Sequence, residues 1–171
     1  MLLRGITMIE ENKRLKRACF TGHRPEKLNI GEKEVKNRLR DAIRTAIAEG
    51  CTTFISGMAR GVDMWAAEIV IEERKKNDNI KLICASPYEG FEKTWNLRER
   101  YRYKTILKKA DYVQYICDNY SRQCFQIRNV WMVDRSARVI AAYNGEHGGT
   151  RNTIYYAIKQ RIPIYNILEI K

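Results

Sequence analysis

TTFISGMARGVDMWAAEIV, residues Thr52 to Val70, holds three local structures in succession. Thr52-Thr53-Phe54-Ile55 is a short apolar, β-branched run of strand type. Ser56 to Gly61 is a turn with glycine at 57 and 61. Val62, Trp65, Ala66, Ile69 and Val70 then recur at helical spacing on one face. A strand, a glycine-bearing turn and a helix in this order present unpaired backbone N–H groups at the positive end of a helix. That arrangement suits an anion. Gly57 and Gly61 allow close backbone approach or positive φ, and Arg60 offers a forked cation. Asp63 falls in the first helical turn, where a carboxylate suits the dipole. The same glycines also serve a plain βα turn, so spacing alone leaves both readings open.

The pattern repeats on either side. Arg17 to Gly22 reads as a first strand, and Glu32 to Glu49 as a helix with Gly50 as its stop. Strands follow at Ile80–Ala85, Tyr112–Ile116, Arg138–Tyr143 and Ile162–Ile167. Helices are expected at Asn96–Lys109, Gln123–Ser136 and Thr150–Lys159. In the 123–136 helix, Ile127, Val130 and Trp131 are read as the apolar residues. The strands are short and apolar rather than alternating, which is the character of strands covered on both faces. The expected fold is α/β, a Rossmann-like three-layer sandwich with a mainly parallel sheet. Right-handed crossovers place every strand-to-helix turn on the sheet's carboxyl edge, where open α/β sheets bind ligands.

Three turns meet there. The first is Thr21-Gly22-His23-Arg24, the second Ser56–Asp63, and the third Asn144 to Thr150, whose Gly148-Gly149-Thr150 opens a helix. The chain's two histidines, His23 and His147, both sit in these turns. Each could bond a phosphate, stack on a base or move a proton. Tyr88, Phe91 and Trp95 lie in an aromatic loop that is expected to pack against itself. Arg98 to Lys109 is a strongly basic stretch with Tyr101 and Tyr103 interleaved. It reads either as a solvated face or as a track for single-stranded nucleic acid.

The 171 residues are enough for one domain with a real core. A net charge of +12 favours anionic partners. No apolar run reaches membrane-spanning length, no membrane partner is expected, and the expected location is cytoplasmic. Residues 1–16 are expected to form a poorly ordered extension, and 17–171 a single domain. Five cysteines without close CxxC pairs argue against a disulfide framework and against a metal site. Four of them recur at intervals of about one βα unit and read as buried thiols of successive strands, and no cofactor is expected.

Ser56-Gly-Met-Ala-Arg-Gly-Val-Asp63 resembles the SG-x-ARG-x-D signature of the DNA-processing protein A family. Thr21-Gly-His-Arg-Pro25, Trp65-Ala-Ala-Glu68 and the late Gly-Gly-Thr150 are more similar to the DUF1273, YpsA-like family. Both belong to the SLOG superfamily, as do the LOG phosphoribohydrolases, and the resemblance covers about residues 17–168. It implies a ligand site for a nucleotide or nucleotide-derived molecule, lined by Gly22, Ser56, Gly57, Arg60, Gly61, Asp63, Gly148, Gly149 and Thr150. A homodimer is also implied by resemblance alone. The LOG enzymes carry a catalytic Glu in a PGG-x-GT-x-x-E motif, and the aligned position here is Thr153. Asp63, Glu68 or Glu146 would have to supply the carboxylate. The first expectation is therefore a binding or sensor domain. A LOG-like hydrolase, with no catalytic residue assignable, and a single-stranded nucleic-acid binder are the alternatives.

Overall fold

The structure, a computed structural model, describes residues 2–168, with backbone only for residues 2–8. Six strands are β1 (Arg17–Gly22), β2 (Thr53–Ser56), β3 (Lys81–Ser86), β4 (Tyr112–Tyr115), β5 (Arg138–Ala142) and β6 (Ile164–Asn166). The helices are α1 (Leu2–Leu15), α2 (Glu32–Ala48), α3 (Val62–Arg74), α4 (Leu97–Lys109), α5 (Cys124–Asp134) and α6 (Gly149–Lys159). The strands form one sheet in the order β4-β3-β2-β1-β5-β6, and every neighbouring pair is parallel. The α/β expectation holds.

Alternate residues of each central strand supply the two cores, because side chains on a strand point to opposite faces. Ala18 and Phe20 of β1, Phe54 of β2 and Leu82 of β3 join the core formed with α2, α3 and α4. Phe20 and Phe54 stack there with ring centroids 5.9 Å apart. Cys19, Ile55, Ala85 and Val139 join the second core with α5 and α6. The central helix α3 is buried almost all round, beyond the single apolar face expected, because α2, α4 and the sheet all cover it.

Local chemistry sets the helix ends. Asn96 caps α4 by accepting from the Glu99 N–H at 2.9 Å. Gly50, at φ +100°, leaves α2 in a conformation that costs other residues strain.

The N-terminal extension carries α1, and Arg14 from it donates to the Ser136 carbonyl at 3.3 Å. One expectation is corrected. Cys117 and Cys124 are disulfide-bonded, with Cα atoms 6.1 Å apart. The turn after β4 brings the start of α5 back to the strand end, which no sequence spacing announces. Cys19, Cys51 and Cys84 are free and buried as expected, and burial pushes Cys19 and Cys84 up to about 12.

The strand order fixes where a ligand can enter. From β1 the chain steps through β2 and β3 to β4, then crosses back to place β5 on the other side of β1. The crossovers diverge at β1 and β5, and a crevice opens beyond their carboxyl ends.

Candidate functional site

That crevice holds a cavity of about 420 Å³. The end of β1 contributes Thr21 and Gly22, followed by His23 and Arg24. The start of α6 contributes Gly148, Gly149 and Thr150, with His147 ahead of them. Asp63 comes from α3, and Arg128 and Asn129 from α5. A larger cavity of about 610 Å³ lies beneath α1 beside Ile83, Tyr112 and Trp131. It holds none of the candidate site residues and has charges of both signs on its wall.

The two loops at the cavity mouth are laced together. The Asn144 amide donates to the Lys27 carbonyl at 3.0 Å, and Lys27 Nζ donates to the His147 carbonyl at 3.4 Å. The His23 N–H donates to the Ala142 carbonyl of β5 at 3.2 Å. His23 is only 4% exposed, and its Nε2 has no hydrogen-bond partner. A buried polar atom without a partner is costly, so an unfilled partner position at a cavity wall points to a ligand. Burial holds His23 below the ordinary imidazole value; Lys27 lowers it further, and Glu146 and Asn144 oppose.

No side chain caps α6. Its first-turn N–H groups lie where Gly148, Gly149 and Thr150 border the cavity. A Cβ added at Gly148 or Gly149 would meet nothing within 4 Å. Open space above an uncapped helix start is what an anion needs.

The other glycines have a different reason to be glycine. A Cβ on Gly22 would stand 2.6 Å from Val62, and one on Gly61 would stand 2.7 Å from Pro25 Cδ. One on Gly57 would stand 2.8 Å from both Arg128 Nη1 and Asp63 Oδ2. Packing forbids a side chain at these positions. Ser56 likewise serves the turn: its hydroxyl donates to the Asp63 carbonyl at 2.8 Å and accepts from the Met58 N–H at 3.2 Å. Ser56, Gly57 and Gly61 are therefore not on the cavity wall, while Arg60 faces a neighbouring cavity.

Asp63 is the one acidic residue on the wall among the described residues. Its Oδ2 accepts from the Ala59 N–H at 3.2 Å. Burial pushes its carboxyl up to about 6, against the pull of Arg128 and the Ala59 N–H. Arg128 is 6% exposed, donates to the Gly57 carbonyl, and donates through Nε to Asn129 Oδ1 at 2.9 Å. Burial holds the Arg128 guanidinium below its usual range, with Asp63 opposing.

The profile of the YspA SLOG family matches residues 18–170. The chain belongs to that family. UPF0398 proteins are similar to it: one from Bacillus thuringiensis strain Al Hakam is 29% identical over 160 residues, 89% of this chain and 87% of the relative. Another from Bacillus cereus strain B4264 is 28% identical over the same share. Among solved structures, DNA processing protein A from Helicobacter pylori superposes with a TM-score of 0.61 at 17% identity. That match covers 91% of this chain and 66% of the other. The Streptococcus pneumoniae protein gives 0.62 at 17%, covering 88% and 49%. The Helicobacter structure is described as revealing a single-stranded DNA binding mode, a property of that protein.

Within this SLOG chain, sequence reading missed Arg128 and Asn129. It took Ile127 as part of the apolar face of α5, yet Ile127 is 49% exposed and the polar pair beside it is buried. An Arg-Asn pair inside an apolar helix was the available signal. Glu68, one of the candidate carboxylates, does not reach the cavity but pairs with Arg102, and with Lys36 at 3.4 Å. Thr153, at the LOG Glu position, is buried and donates to the Gly149 carbonyl at 2.9 Å. Glu146 stays exposed at the rim, 4.0 Å from Lys27 Nζ. The basic α4 is partly neutralised: Arg102 pairs with Glu68 and with Glu32 at 3.1 Å, and Lys104 with Glu92 at 3.9 Å. Tyr103 is buried, its hydroxyl 2.6 Å from Ser86 Oγ, so it cannot stack an incoming base. No helix among the described residues is long and apolar enough to cross a membrane.

Proposed function

We propose that this chain is a cytoplasmic binding or sensor domain, one SLOG domain over residues 17–171, for a nucleotide or nucleotide-derived ligand. The observation that carries it is His23: buried, and with Nε2 unpartnered on a cavity that also receives Arg128 and the uncapped start of α6. Phosphate oxygens would accept from the α6 N–H groups and from Arg128 or Arg24, with His23 Nε2 completing the shell. Asp63 opposes this as a lone carboxylate, and its raised pKa eases the repulsion.

The first experiment is mass spectrometry of small molecules released by denaturing the purified protein, followed by calorimetry with AMP and related nucleotides. A stoichiometric nucleotide-like mass, or saturable binding with no product formed, supports the reading. Release of free base would instead support the hydrolase alternative. Against that alternative, Asp63 is tied to the Ala59 N–H, Thr153 stands at the motif Glu position, and Glu146 stays exposed at the rim outside the cavity lining.

Single-stranded nucleic acid is the second reading, favoured by the +12 charge and by the fold shared with DNA processing protein A. The two separate by salt. A strand contacting several phosphates loses affinity steeply with added salt, whereas a compact nucleotide site loses little.

A further inference from the structure

The glycine-turn cavity has a neighbour. A second cavity, about 440 Å³, lies beside it, and Arg24, Ala59, Phe91 and Phe125 stand on both walls. Tyr88 and Trp95 stand only on the second. The aromatic loop does pack against itself, as expected: Phe91 meets Trp95 at 4.9 Å and Tyr88 at 5.6 Å between ring centroids, both edge-on. Phe125 of α5 joins it, 5.7 Å from Phe91. The same rings that fill the loop also wall a space large enough for a base.

We propose that this compartment is a base-stacking subsite: it takes the planar base of the nucleotide whose phosphate lies against α6 and Arg128. The proposal rests on the nucleotide reading above. Rings of this kind stack on any base, because every base has a π face. Arg60 is tied to Glu26 at 3.2 Å, whereas Arg24 has no carboxylate partner among the described residues. Arg24 borders both compartments, so it sits where the sugar or a bridging phosphate would pass. Polar groups at the far wall could read the base edge. Asn96 Oδ1 is committed to the Glu99 N–H, which leaves its Nδ2 donors for a base acceptor.

The test uses the full chain with AMP and ribose 5-phosphate, which share the phosphate and differ in the base. Wild type, Tyr88→Leu and Trp95→Leu are titrated with each, and melting is recorded for all. AMP should bind wild type at least about tenfold tighter than ribose 5-phosphate, and either variant should lose about that margin. Affinity for ribose 5-phosphate should not change. AMP should also quench tryptophan emission, and the quench should vanish in Trp95→Phe while Trp65 and Trp131 remain. Equal affinity of wild type for both ligands would overturn the subsite and leave the phosphate site standing. Loss of affinity for both ligands together, with a lowered melting point, would make the rings structural and also overturn it. No binding of either ligand, nor of any nucleotide in the panel, would overturn both readings.

Discussion

Asp63 and Arg128 converge on Gly57: a Cβ at that glycine would stand 2.8 Å from Asp63 Oδ2 and 2.8 Å from Arg128 Nη1. An acid from α3 and a base from α5 thus meet at the turn that follows β2. Helices from opposite faces of the sheet are joined through one residue that has no side chain.

Gly57→Ala should therefore damage the fold as well as the site. The added methyl must displace two buried charged groups, and overpacking of that kind costs about 1–3 kcal/mol. Gly149→Ala is the control, because its Cβ meets nothing within 4 Å. It should melt like wild type and lose affinity for AMP only. Chemical denaturation and calorimetry of both variants check this.

Arg128→Met removes the buried guanidinium while keeping bulk. It should weaken binding of AMP and of ribose 5-phosphate alike, by tenfold or more, since a buried charge-assisted contact to phosphate is lost. Asp63 would be left without its cation. Arg128→Met and Asp63→Asn should consequently be non-additive in stability, with a coupling of about 0.5–3 kcal/mol in a double-mutant cycle.

Asp63 also sets a pH dependence. Its folded carboxyl is raised to about 6, while an unfolded Asp titrates near 4. The fold therefore favours the protonated form. Its contribution to stability is complete below about pH 4 and is lost as pH rises toward about 6. Subtracting the denaturation profile of Asp63→Asn from that of wild type should reveal this fall between pH 4 and 6.5. A flat difference would place the Asp63 carboxyl at its ordinary value.

His23 acts in the opposite direction on stability and in the same direction on anion binding. Burial lowers its pKa, so protonation opposes the fold as pH drops below about 6.5. A bound phosphate favours the protonated ring. AMP affinity should rise as pH falls from 7.5 to 5.5, and His23→Gln should flatten much of that rise.

Arg102→Gln separates the basic helix from the site. Its ion pairs with Glu68 and Glu32 are partly exposed, so the loss should be about 1 kcal/mol or less. Affinity for AMP should stay unchanged. A large drop in single-strand affinity would restore α4 as a nucleic-acid track.

The sequence by itself determined the α/β class, the order of strands and helices from β1 onward, and which turns gather at the carboxyl edge. Apolar periodicity and glycine punctuation are local, and parallel βα units leave little freedom in hand or edge. It also singled out Thr21, Gly22, His23, Arg24, Asp63 and the Gly148–Thr150 turn, which all reach the cavity. Only the tertiary structure decided the strand order, and with it the crevice between β1 and β5. Only it placed Arg128 and Asn129 inside and Ile127 outside, because the buried face of α5 is chosen by what it packs on, and Asp63 with the Gly57 carbonyl accommodates a polar pair there. It likewise separated the glycines kept by packing, at 22, 57 and 61, from those open to a ligand, at 148 and 149. The spacing of a glycine is local, whereas the atom that would meet its missing side chain comes from another element of the fold.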